Sequence, residues 1–226
     1  MTRTYGQSCG LAKAWELVGE RWALLVVRDL ILGPKRLTEL RAGLPRIATS
    51  VLAGRLNELE ETGVVRRRML PGLDAGIAYE LTEYGRDLEP VVLSMALWGA
   101  AGLGEPSAGE AFTLDSALLS LHSTFRPQRA AGVRVSFELR HGPDLTVHAV
   151  VDDGQLKVAE GNYAGADLVV EVRGALRALL TGALDPRAAV AQGHVAVTGE
   201  PALLEVFTSL FHIPAGPRTA PGLAAR

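Results

Sequence analysis

Apolar positions recur along this chain with two different periods. In the first hundred residues the spacing is helical. Two apolar stretches, Trp15–Val18 and Trp22–Leu32, lead into Gly33-Pro34, a pair that stops a helix. The pattern then predicts a short helix over Arg36–Leu40 and a second over Val51–Leu59. Leu52, Leu56 and Leu59 fall at i, i+4 and i+7, one apolar stripe facing a core. After Gly63 the period shortens. A basic strand Val64–Met69, a turn over Pro71–Gly76 and a strand Ile77–Leu81 are expected, followed by Leu88–Leu103, apolar on nearly every side.

Periodicity lapses over Gly99–Gly109, which reads as a hinge or linker. Beyond it, Leu118, Leu119, His122 and Phe125 are spaced as a helix. Strands follow by alternation: Val133, Val135, Phe137 and Leu139, then Leu145, Val147, Ala149 and Val151. Asp152-Asp153-Gly154 signals a tight turn before Leu156-Lys157-Val158. Leu168–Val172 and Val195–Val197 are further strands. Ala175–Leu180, Pro186–Gln192 and Pro201–Phe211 read as helices. The predicted organisation is a mostly α module with a two-stranded wing over residues 1–104, a linker over 105–112, an α+β domain over 113–214 and a frayed tail over 215–226.

The order of elements in the first module is a helix-turn-helix followed by a wing. Such a unit offers one helix to a major groove and a ribbon to the neighbouring phosphates. Lys35, Arg36, Arg41, Arg46, Arg55, Arg66, Arg67 and Arg68 cluster there, against Glu39, Glu58, Glu60 and Glu61. Lys35, Arg36, Thr49, Ser50, Arg55, Arg66 and Arg68 are the expected DNA contacts. Thr49 and Ser50 sit at the helix start, where base edges are read, and Thr49 is also placed to cap the helix. Arg55 lies off the leucine stripe. Arg66 and Arg68 share one face of their strand and Arg67 takes the other. A solvated charged surface is the plainer alternative.

The chain's 226 residues carry a net charge of −2, so binding through charge alone is not expected. No apolar run approaches a membrane span, no signal peptide is expected, and a single cysteine, Cys9, rules out an intramolecular disulfide. A reducing cytoplasm is the simplest compartment. The sequence holds no nucleophile elbow, phosphate loop or dinucleotide fingerprint. The five histidines lack metal-ligand spacing. No enzyme, metal or cofactor is expected.

The anchors Cys9-Gly10, Val18-Gly19-Glu20-Arg21-Trp22, Arg28, Gly33-Pro34-Lys35-Arg36-Leu37, Arg55-Leu56, Gly63-Val64-Val65, Tyr79-Glu80-Leu81-Thr82, Gly85 and Trp98 together resemble the HxlR-type winged-helix regulators. The resemblance covers roughly the first hundred residues. It implies a homodimer on double-stranded operators of dyad symmetry, with Trp15, Trp22, Trp98 and Leu88–Leu103 as core and dimer packing. Ala48-Thr49-Ser50 departs from the usual start of the reading helix, which leaves the operator sequence open. Cys9 stands where some relatives carry an oxidant- or electrophile-sensing thiol; its other reading is a small packing residue at the dimer seam.

Val133–Leu139, Val150–Gly154, Leu168–Val172, Leu179-Leu180-Thr181-Gly182, Leu184-Asp185-Pro186 and Val195–Gly199 resemble the sterol-carrier-protein-2-like fold. That fold implies a sheet covered by helices, with an apolar tunnel. Leu203, Leu204, Phe207, Leu210 and Phe211 are the candidate tunnel walls; filling the core is their other reading. The expectation is therefore a cytoplasmic, homodimeric repressor whose second domain senses a hydrophobic small molecule. Two alternatives stand beside it, a regulator sensing through Cys9 and a lipid-binding or carrier protein.

Overall fold

The computed structural model describes residues 4–71, 76–103 and 110–216. The chain divides into two compact units, Met1–Val92 and Leu93–Arg226. The wing turn falls mostly, and the expected linker and tail fall in large part, outside the described residues.

The first unit contains α1 (Gly10–Val18), α2 (Ala23–Ile31), α3 (Leu37–Gly43), α4 (Thr49–Glu61), β1 (Val65–Leu70), β2 (Gly76–Leu81) and α5 (Glu83–Arg86). Its core gathers Val26, Val27 and Leu30 from α2, Leu40 from α3, and Leu52, Leu56 and Leu59 from α4. The strands form an antiparallel hairpin that pairs Arg66 with Glu80, Arg67 with Tyr79 and Met69 with Ile77. Lys35 adds a short bridge to Tyr79, N–H to carbonyl in both directions at 2.9 and 2.7 Å. Gly85 is required where α5 meets the hairpin, because a Cβ there would lie 2.1 Å from the Val64 carbonyl oxygen. The helix α4 begins one residue earlier than a Thr49 cap allows. Ala48 is the N-cap and Thr49 is already helical, so Thr49 does not cap.

The helix α6 (Glu89–Gly102) crosses the boundary between the units. Val92 is its only buried residue, although its sequence is apolar almost throughout.

The second unit continues with α7 (Leu114–Thr124), a 3-10 turn (Pro127–Arg129), β3 (Arg134–His141), β4 (Leu145–Asp152), β5 (Gln155–Glu160), β6 (Leu168–Val172), α8 (Leu176–Leu180), α9 (Pro186–Ala191), β7 (Val195–Gly199) and α10 (Leu203–Leu210). The sheet order is β5-β4-β3-β6-β7, with β3 and β6 parallel and the other neighbours antiparallel. Both expected architectures are therefore present: helices with a two-stranded wing, then a mixed sheet with helices.

Alternation on β3 separates its two faces. Phe137 meets Phe207 and Phe211 of the last helical segment, with ring centroids 5.1 and 6.2 Å apart, and those two rings are 4.8 Å from each other. On the other face Ser136 and Glu138 are buried but satisfied. The Ser136 N–H and hydroxyl both donate to Asp167, at 2.8 and 2.7 Å. Glu138 accepts from Arg140 at 2.8 Å and from the Tyr163 N–H at 2.7 Å.

Phe207 touches two rings of this cluster, Phe137 edge-on and Phe211 tilted. Phe207→Ala is expected to destabilise the second unit by about 3–5 kcal/mol, the range for emptying an aromatic core site. Chemical denaturation of the full chain followed by circular dichroism measures this. A loss well under 1 kcal/mol would mean that the cluster does not support the sheet.

Candidate nucleic-acid interface and ligand cleft

The candidate reading helix, α4, is placed by its leucines. With Leu52, Leu56 and Leu59 turned into the core, Ser50, Val51, Gly54 and Asn57 lie away from that stripe on α4 and Thr49 stands at its first turn, all exposed. A Cβ added at Gly54 would meet nothing within 4 Å, so that face is open at its middle. Arg36 caps α3 from the adjoining loop, its N–H donating to the Glu39 carboxylate at 2.5 Å, while Lys35 is held by its backbone bridge to β2.

Arg55 differs from the expectation of a free phosphate contact. Its side chain is only 15% exposed and lies between two carboxylates, paired with Glu58 one turn on and 3.6 Å from Glu20. The reason is positional: the turn between α1 and α2 brings Glu20 beside the middle of α4. Arg55 thus braces the helix from behind.

The arginine triplet is distributed as alternation requires. Arg66 and Arg68 both reach the Glu80 carboxylate of the facing strand, at 2.7 and 3.1 Å. Glu80 is buried, which raises its pKa, but hydrogen bonds and charge from Arg66 and Arg68 prevail and hold it below the usual carboxylate range. Arg67, on the other face, bonds Asn57 and Glu60 of α4 at 3.1 Å each and lies over the Tyr79 ring at 5.9 Å. Neither Glu80 nor Arg67 is among the expected contacts, yet Glu80 ties the two strands of the wing together and Arg67 ties the wing to α4. Counting inward from the hairpin turn pairs Arg66 with Glu80, so the first link was recoverable from the sequence. The second needed the angle between hairpin and helix.

Cys9 is exposed at the N-cap of α1. The N–H groups of Ala12, and then Leu11, favour its thiolate and lower its pKa.

The expected tunnel walls of the second unit lie on α10 and at its C-cap. Leu204, Phe207, Leu210 and Phe211 are buried in the packed core, and Leu203 is half-buried. Phe207 and Phe211 meet Phe137 of β3, and Phe211 also meets Phe125, with ring centroids 5.6 Å apart. A cleft of about 410 Å³ runs between α9 and the start of α10, lined by Pro186, Val190, Ala191, Pro201, Ala202 and Leu204, with Arg187 and Glu205 paired at 3.1 Å beside it. Only Leu204 belongs to both sets.

The comparison with known proteins joins these two sites to two families. Residues 17–106 match the family described as HxlR-like helix-turn-helix. The transcriptional regulator YdeP of Bacillus subtilis (strain 168) is 37% identical over 93 residues, 41% of this chain and 73% of that protein. The chain belongs to the HxlR family. YodB, another transcriptional regulator of that organism, is 39% identical over 88 residues, 39% of this chain and 79% of YodB. The solved reduced form of YodB is 37% identical, covering 41% of this chain and 92% of that one, with a TM-score of 0.37. Residues 124–212 match the SCP-2 sterol transfer family. This HxlR-family chain is accordingly a helix-turn-helix transcriptional regulator, a DNA-binding protein and not an enzyme. No helix among the described residues is long and apolar enough to cross a membrane.

The brace has a measurable signature. Arg55→Ala is expected to weaken the fold by about 1 kcal/mol, the loss of charge-assisted hydrogen bonds, which lowers the melting temperature by ~2–4 °C. The slope of log affinity against log salt for DNA should stay unchanged, whereas losing a phosphate contact would reduce it by about 1. Thermal melting and fluorescence anisotropy across a salt series separate the two roles.

Proposed function

We propose that this chain is a cytoplasmic, homodimeric repressor that places α4 in the major groove of a dyad-symmetric operator, and whose second unit responds to an apolar small molecule. The observation that carries this reading is the exposed stripe of α6. Val91, Met95 and Trp98 recur at i, i+4 and i+7 on one face, and Trp98 is 82% exposed. A single chain leaves this surface in water. A second copy presenting the same helix buries it, and a two-fold pair of reading heads then matches a two-fold operator. Leu11 and Trp15 on α1 are exposed as well and add to the apolar area available to a partner copy.

Repression is favoured over activation because occluding a promoter requires only tight binding, with no surface for polymerase. The cleft between α9 and α10 supports an apolar ligand by its size and its proline, valine, alanine and leucine lining. Such a ligand acts by binding one dimer geometry better than another.

One observation favours a second reading, in which Cys9 is the sensor. The thiol is exposed and its pKa is lowered by the amides at the start of α1, the two conditions for reactivity with oxidants or electrophiles.

Two experiments test these readings. Trp98→Asp should sediment as a monomer where the wild type sediments as a dimer, and should lose most of its affinity for duplexes selected by the wild type from a random pool. A monomeric wild type that still binds those duplexes rejects the dimer reading. For the sensor, wild type and Cys9→Ser are each loaded on the selected duplex and challenged with decanoic acid or with a thiol-reactive quinone. Release of both proteins by the acid supports the cleft. Release of the wild type alone, and only by the quinone, supports Cys9.

A further inference from the structure

One short helix, α8, is tied to both walls of the cleft and also grips α6. The walls are α9 and the start of α10. Ahead of α9, the Leu184 N–H donates to the Ala178 carbonyl of α8 at 3.0 Å. Beyond α10, the Ile213 N–H donates to the Leu180 carbonyl of α8 at 2.9 Å. The far end of α10 is itself fixed, because Phe211 bridges to Phe125: the Arg126 N–H donates to the Leu210 carbonyl and the His212 N–H to the Thr124 carbonyl, at 2.8 Å each. A change in the spacing of the walls is therefore carried to α8 from both sides.

The grip on α6 comes from Arg177. The last four carbonyls of a helix have no i+4 partner, and that end carries partial negative charge. In α6 one guanidinium answers two of them. Arg177 Nε donates to the Ala100 carbonyl at 3.1 Å, and Nη2 donates to the Ala101 carbonyl at 2.8 Å. The chain leaving α10 lies against the same end, since a Cβ at Gly216 would stand 2.1 Å from the Ala101 carbonyl oxygen. All of these groups belong to the second unit, which includes α6 from Leu93 onward.

The joint from which α8 starts is strained. Ala175 has a φ of 52° and a ψ of 18°, the left-handed conformation that a Cβ disfavours. Such strain persists only while surrounding contacts hold it. The five residues of α8 thus have two arrangements, clasped on α6 with Ala175 strained, or released with Ala175 relaxed. Coupling between two sites requires an element of this kind, with two arrangements that each site biases.

We propose that Arg177 is a latch between the cleft and the dimer helix. With the cleft empty the latch is closed, the end of α6 is capped, and the stripe of Val91, Met95 and Trp98 is held in the geometry that binds DNA. An apolar ligand that parts α9 from α10 pulls α8 at Ala178 and Leu180, breaks both Arg177 bonds and frays the end of α6. The proposal rests on the cleft as the ligand site and on α6 as the dimer helix.

The test uses the full chain as wild type, Arg177→Ala and Arg177→Lys, with decanoic acid and duplexes selected by the wild type. Hydrogen exchange over residues 93–102 reads the latch directly, and in the wild type it should rise when the acid is added. Arg177→Ala should show the raised exchange without acid. It should bind the duplex about tenfold more weakly, within the ordinary range of allosteric coupling, and lose little further affinity when the acid is added. By calorimetry it should still take up the acid as the wild type does. Arg177→Lys keeps the charge at the helix end without the forked contact and should fall between the two. Exchange and DNA affinity like the wild type's in Arg177→Ala overturn the proposal, as does release of that variant by the acid to the wild-type extent. A wild type that takes up no acid removes the cleft reading, and one that sediments as a monomer removes the dimer reading. Either takes the latch with it and is seen before any variant is made.

Discussion

A helix can read DNA only with the face that its own protein does not use, and in this chain that division is made by three leucines. Leu52, Leu56 and Leu59 are essentially without exposure. Burying each contributes on the order of 1.5–3 kcal/mol. A rotation of α4 by one residue would move all three out of the core, so the register of the helix is fixed by apolar energy and not by DNA. Thr49, Ser50, Gly54 and Asn57 are exposed as a consequence. The polar groups around α4 then adjust what the leucines have set: Arg55 from the Glu20 side, Arg67 from the hairpin side. Each holds the helix without occupying its outer face.

The wing shows how a basic sequence is partly neutralised by its neighbours. Three consecutive arginines suggest a strong phosphate contact, but alternation sends them to two faces and each face supplies a carboxylate. Glu80 has two guanidinium partners, which keep it ionised despite its burial. Its pKa is lower in the folded chain than in the unfolded one. The stabilisation it gives is therefore complete above the ordinary carboxylate range and is lost as pH falls through the lowered native value. The hairpin is in consequence a mechanical element as much as an electrostatic one.

Much of this was legible in the residues. The leucine stripe, the stop at Gly33-Pro34, the alternation of β1 and β2 and the turn at Asp152-Asp153-Gly154 each follow from a local rule, and the structure keeps all of them. The apolar character of Leu88–Leu103 predicted burial, and the isolated chain leaves most of α6 uncovered, because the sequence cannot say whether the covering surface belongs to the same chain. Arg55 was misplaced for a related reason. Helical periodicity gives the face on which a residue lies, but the approach of Glu20 depends on the turn between α1 and α2, where Trp22 adopts a left-handed φ of 87° that no periodicity encodes. Thr49 looked like a cap because its residue type favours one, yet the chain enters α4 through Ala48.

The second unit shows the same limit on a larger scale. An apolar stripe on a terminal helix is identical in sequence whether it fills a core or lines a tunnel. An internal void of about 410 Å³ would cost on the order of 10 kcal/mol at the usual penalty per unit of cavity volume, comparable with the whole stability of a domain. Phe207 and Phe211 pack against Phe137, and an open cleft lies between α9 and the start of α10. Both lips of that cleft carry a proline, Pro186 and Pro201, and both are backed by small side chains, Ala191 and Ala202. Proline fixes the backbone at each lip, and alanine leaves the space beside it unfilled. In the proposed sensor, a ligand entering there would displace solvent and leave the aromatic core packed, so occupancy could change without the fold being risked.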